Sequence, residues 1–167
     1  MSAASGTVLW EKQRIAGGST LQLNGISSTG RAVGGRNTPR ENYVVDWTGA
    51  ATPAAFYFNG LDGATRGQAL AVSANGQIVF GNSPRPGNEA LSGYKVSLPG
   101  PSQTIAELPN FLDTGSSTTL AAPYGCTADG RYAAGMNYRG AEKAALWITT
   151  DPDPSKWSVD DLTEVAA

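Results

Sequence analysis

Histidine is absent from the 167 residues of this chain. That removes Ser-His and Cys-His nucleophile systems, histidine-ligated metal sites and the usual protonation switch near neutral pH. A single cysteine, Cys126, excludes an intrachain disulfide and any multi-thiolate metal site. Secreted proteins need not carry disulfides, so the lone thiol leaves the compartment open. Charge is scarce as well: Asp, Glu, Lys and Arg make up 16% of residues, against roughly 25% in an average soluble domain. The formal net charge of −2 argues against nucleic acid as a partner, because phosphate needs dense Lys and Arg. No apolar run approaches a membrane span. The opening MSAASGTVLWEKQ has no apolar stretch of signal-peptide length, so the chain reads as cytosolic or as lacking its leader.

What is present is 21 glycines and 10 prolines among abundant Ser and Thr. That mixture suits short strands and tight turns better than long helices. The length is right for one domain with a proper core, residues 1–167.

A recurring unit organises the chain. Three turn glycines, Gly30, Gly76 and Gly130, lie 46 and 54 residues apart. Each follows a turn-capable residue (Thr29, Asn75, Asp129), with Ser or Thr two positions before that. Asn-Gly and Asp-Gly predict type I′ hairpins, in which both central residues take positive φ. Thr29 fits that geometry less well and allows another turn type in the first copy. Five residues on, Gly35, Gly81 and Gly135 are read as ending the return strand. Around these turns fall four apolar stretches per unit, here called a, b, c and d. They are LQLNGIS, RAVGG, YVVDW and AAFYFNGL, then ALAVS, QIVFG, GYKVSL and QTIAEL, then YGCT, RYAAG, AALWIT and KWSVDDL. The last also reads as a capped C-terminal helix, SVDDLTEVAA, with Ser158 as cap and Asp161 three residues on.

The period is that of four-stranded propeller blades, which hide their apolar faces against neighbours of the same kind. The expected fold is all-β, a propeller-type array of antiparallel blades, with a β-sandwich as the alternative. An N-terminal half-blade covers 6–20, and repeats cover 21–66, 67–118 and 119–167. Three blades are too few for a ring of the usual four to eight. Self-association, most simply a homodimer, is therefore expected.

Three stretches resemble the HAF-type repeats of bacterial extracellular proteins. They are GIS-x-x-G-x-x-x-G with a later Trp in Gly25–Trp47, AVSANGQIVFGNS in Ala71–Ser83, and CTADGRYAAGMN followed by AALW in Cys126–Trp147. The second copy departs from that pattern, with Tyr94 or Val96 where Trp is expected, and only Asp129 keeps the Asp before the turn glycine. The resemblance implies a propeller-like surface or secreted protein, extracellular or at the cell surface. It implies no activity and carries over no catalytic residue.

Candidate sites are few. Trp10, Trp47 and Trp147 are read at one repeated position, and blade-to-blade packing outweighs a sugar platform there. Trp157 lies outside that recurrence. The b–c loops gather Arg36, Asn37 and Arg40, then Arg85 and Asn88, then Asn137, Tyr138 and Arg139. Arg and Asn suit carboxylates and sugar hydroxyls, although surface loops are polar for solubility alone. Paired carboxylates are limited to Asp151 with Asp153, and Asp160 with Asp161. A hydrolase would need two of them facing across a cleft. The leading expectation is a non-catalytic binding module, without metal or cofactor, that recognises a glycan or an acidic protein surface through the b–c loops. The alternatives are a self-assembling surface-layer or virion component and, third, a carboxylate-dependent glycan hydrolase.

Overall fold

A computed structural model describes residues 21–37, 40–46, 54–85, 88–98, 104–111 and 121–163. The expected half-blade over 6–20, with Trp10, and also Trp47 lie outside the described residues. The first sheet consists of β1 (Leu21–Ile26), β2 (Arg31–Asn37), β3 (Arg40–Asp46) and β4 (Ala54–Phe58). The second consists of β5 (Gln68–Val72), β6 (Ile78–Arg85), β7 (Asn88–Ser97) and β8 (Ile105–Glu107). The third consists of β9 (Ala121–Cys126), β10 (Tyr132–Tyr138), β11 (Glu142–Ile148) and β12 (Ser158–Asp161). Within each sheet the strands lie in sequence order and pair antiparallel. These are meandering, propeller-type blades, with none of the strand exchange between sheets that marks a Greek-key sandwich. The described residues do not close a ring.

The sheets stack in chain order, and the middle one is covered on both sides. Consecutive residues of a strand point to opposite faces, so Val79 and Phe80 of β6 enter different cores. Val79 joins Val33, Val44, Phe58, Ala69, Tyr94 and Val96 between the first and second sheets. Phe80 joins Ala71, Leu108, Ala121, Ala133, Ala145 and Trp147 between the second and third. One buried polar contact crosses the first interface: the Tyr94 hydroxyl donates to Asn42 Oδ1 at 2.6 Å. Burial raises the Tyr94 pKa well above its ordinary value, which keeps the phenol a donor.

The fourth strand of the last repeat is a strand, not a helix. Val159 pairs with Trp147 and packs on the second core. A helix there would leave the outer edge of β11 unpaired.

Two details of the repeat differ from the sequence reading. The b-strand glycines do not end their strands, for β2, β6 and β10 run on to Asn37, Arg85 and Tyr138. Their purpose is close approach. A Cβ on Gly81 or Gly135 would overlap the carbonyl oxygen of Gln68 or Ala122 in strand a. In the first copy the residue in that position is Gly34, whose Cβ would overlap the Gln22 carbonyl, and not Gly35. The cause is a turn one residue shorter: Ile26 pairs with Ala32, whereas Val72 pairs with Val79 and Cys126 with Ala133. The same offset sets the tryptophan register. Trp147 pairs with Ala133, so its counterparts are Val45, paired with Ala32, and Val96, paired with Val79.

Candidate functional site: stacked turns and an open sheet face

The a–b turns build one continuous edge. Gly30, Gly76 and Gly130 have φ of 86°, 73° and 67°, and each donates its N–H to the carbonyl three residues back. Neither Asn75 nor Asp129 has positive φ, so type I′ geometry is not used in any copy. The alternative is a turn held by side chains. Ser27 Oγ accepts from Arg31 N–H, Ser73 Oγ from Ile78 N–H, and Thr127 Oγ1 from Tyr132 N–H. Asn75 and Asp129 each accept from the N–H two residues on. Bonds from the Thr127 hydroxyl and the Arg131 N–H hold the Asp129 carboxyl below its ordinary pKa.

These turns bond to each other from sheet to sheet. Ser28 N–H donates to the Ala74 carbonyl at 3.0 Å, and Ala74 N–H donates to the Ala128 carbonyl at 2.9 Å. The series halts at Ala128, whose own N–H has no partner among the described residues. Side chains strengthen the first step, with the Ser28 hydroxyl on the Ala74 carbonyl and Arg31 Nη1 on the Gly76 carbonyl. Lys95 strengthens the second interface, donating from β7 to the Thr149 carbonyl and Oγ1 at 3.1 and 2.9 Å. Its ammonium lies 5.1 Å from the Trp157 ring centre, and burial lowers its pKa while Asp129 opposes that shift.

Each sheet presents the same positions to the one that follows, and among the described residues no sheet follows the third. Val33 and Phe80 are fully buried under the next sheet, whereas their counterpart Ala134 is exposed. Val44 is fully buried and Lys95 is bonded to Thr149, whereas Leu146 is half-exposed. A bulge interrupts every first strand at Asn24, Leu70 and Tyr124. Asn24 donates to the Ala69 carbonyl of the second sheet and Leu70 is buried, but Tyr124 stands 61% exposed. A Cβ on Gly25 would touch Ala71, whereas one on Gly125 would meet nothing within 4 Å. An open hollow of about 310 Å³ lies here, lined by Gly125, Tyr132, Ala134 and Leu146 among others. None of these residues was singled out from sequence. The signal available was positional: each occupies a repeat position that the earlier copies fill with interface residues.

Of the loop residues expected to bind a ligand, the side chains of Asn137, Tyr138 and Arg139 are described. Arg36, Asn37, Arg40, Arg85 and Asn88 have their backbones in strands β2, β3, β6 and β7, and their side chains lie outside the described ones. Asn137 is in β10, fully buried on the Ala133 side of the sheet, and neither amide atom has a partner. Tyr138 is half-buried, and Arg139 is exposed in the connection after β10. Arg139 and Lys143 lie near enough to Asp161 to help the Thr163 hydrogen bonds lower its pKa.

Trp147 is fully buried, with Nε1 donating to the Pro109 carbonyl at 2.8 Å, as blade packing requires. Trp157 is half-buried and donates to the Asp151 carbonyl. The acidic pairs are occupied locally. Asp151 accepts from Asp153 N–H, Asp153 caps the short 3-10 turn Pro154–Lys156 through Ser155, and Asp161 accepts from Thr163. Among the described residues no three acidic or thiol groups converge on a point fit for a metal ion, and no helix is long and apolar enough to cross a membrane.

No family model matches this chain, and no curated protein does. Among solved structures the chain is similar to TolB from Acinetobacter baumannii, at 13% identity and a TM-score of 0.33. That match covers 89% of this chain and 44% of the other, so the chain spans less than half the length of the protein it matches.

Proposed function

We propose that this chain is a non-catalytic, self-assembling β-repeat module, whose working surface is the end of its stack of sheets. What supports the reading is the exposed far face of the third sheet, where Tyr124, Ala134 and Leu146 hold positions that are buried or bonded in the two sheets before it. Burial of such a face is favourable at roughly 25 cal/mol per Å² of apolar area, and a contiguous apolar patch left open marks an interaction site. Two copies would bring six sheets together, within the range of propeller rings. Sedimentation velocity on the chain across a concentration series tests this. Species heavier than the 17.2 kDa chain are expected, and Ala134→Arg should return them to that mass. A chain that remains at 17.2 kDa throughout would defeat the proposal.

A second reading, capture of a glycan or acidic protein surface at the b–c hairpins of a secreted or surface protein, is favoured by the exposed guanidinium of Arg139. Retention on a glycan array that Arg139→Ala abolishes would support it.

A further inference from the structure

We infer that the partner on the open face is the first sheet of a second copy, docked head to tail; this rests on the self-assembly proposed above. The inference extends an interface the chain already makes twice. At both internal interfaces the arriving sheet contributes one apolar residue from the end of its first strand, beside its turn. Val72 packs so onto the core between the first and second sheets, and Cys126 onto the core between the second and third. The residue in that position of the first sheet is Ile26, and it stands 71% exposed. Further along the same face Ala32 and Val45 are buried, so the opening lies at the turn end, beside Ser28.

At the turn end, the outer face of the first sheet and the far face of the third are therefore both open, and they face opposite ways along the stack. One offers Ile26, with the Ser28 carbonyl unpartnered among the described residues. The other offers the hollow between Gly125, Tyr132, Ala134 and Leu146, with the unpartnered N–H of Ala128 at its edge. A bond from Ala128 N–H to Ser28 of the next copy would continue the Ser28–Ala74–Ala128 series with the same donor direction. The two surfaces differ, so the contact is heterologous, and each copy uses one of each. A face-to-face contact of two third sheets would leave Ile26 in water and place two Ala128 N–H donors together without an acceptor.

Ile26→Asp and Ala134→Arg separate these arrangements, because both positions are exposed and both variants should fold, as circular dichroism will check. Each variant alone should lose association, with the dissociation constant raised at least about thirtyfold. An equimolar mixture of the two should recover a species of twice the chain mass, since one interface then pairs two unaltered surfaces. Loss with Ala134→Arg alone, while Ile26→Asp associates normally, would overturn head-to-tail docking and leave self-assembly standing. Two inactive variants whose mixture recovers nothing would also overturn it. A wild-type chain that never associates would fail the earlier proposal as well.

Discussion

Gly135 and Gly125 lie ten residues apart in one sheet and carry opposite constraints. At Gly135 a Cβ would overlap the Ala122 carbonyl, where the register of β9 against β10 shifts at the Tyr124 bulge. Gly135→Ala should cost about 1–3 kcal/mol or more in urea unfolding, the range for forcing atoms into packed structure. At Gly125 a Cβ meets nothing, and the second sheet has Ala71 in the same position. Gly125→Ala should be neutral or stabilise by up to about 1 kcal/mol, through a less flexible unfolded chain. Asp129 gives a prediction with a pH sign. Its folded pKa is lowered from 3.8 by the Thr127 and Arg131 bonds, so its contribution is present above that value and lost as pH falls through the lower folded pKa. Melting temperatures of wild type and Asp129→Ala should therefore differ near pH 6 and converge as the pH falls below 3.8.

Strands were legible because each is short, apolar and bounded by a glycine turn, and the fourth strands at Ala54–Phe58 and Ile105–Glu107 fall where the repeat requires them. The bulges at Asn24, Leu70 and Tyr124 were not legible, since an extra residue in one strand is defined only against its partner. Nor was the shortened first turn, which moves the matching glycine to Gly34 and makes Val45, not Trp47, the counterpart of Trp147. Between elements, the Tyr94–Asn42 bond joins β7 to β3 across a closed core. Tyr94→Phe leaves Asn42 Oδ1 buried without that donor, while the ring keeps its edge contact with Phe58 at 6.0 Å. A loss of about 1–2 kcal/mol is expected in chemical denaturation, with the far-ultraviolet spectrum unchanged.

For the molecule as a whole, stability and assembly are linked. If the end faces bury each other, the folded state gains from mass action and the melting temperature should rise with protein concentration. Ala134→Arg should abolish that dependence while leaving the low-concentration melting temperature close to wild type, because position 134 is exposed in the single chain. Differential scanning calorimetry over a hundredfold range of concentration (about two decades) reads both effects. The burial of one expected ligand residue belongs to this scale too. Asn137 is buried although the sequence places it beside a turn, because β10 extends past Gly135 and alternation carries its side chain inward.

The order of residues alone determined the all-β class, the four-strand unit and the three glycine turns, because backbone preference at a turn and alternation along a strand are local properties. Tertiary structure decided which of two adjacent apolar residues enters which core, which glycine is compressed, and which repeat position is left uncovered. Those depend on pairing register and on the presence of a neighbour. Ala134 and Phe80 are equivalent along the chain, and the third sheet packed over Phe80 makes that position a core whereas Ala134 stays at the surface.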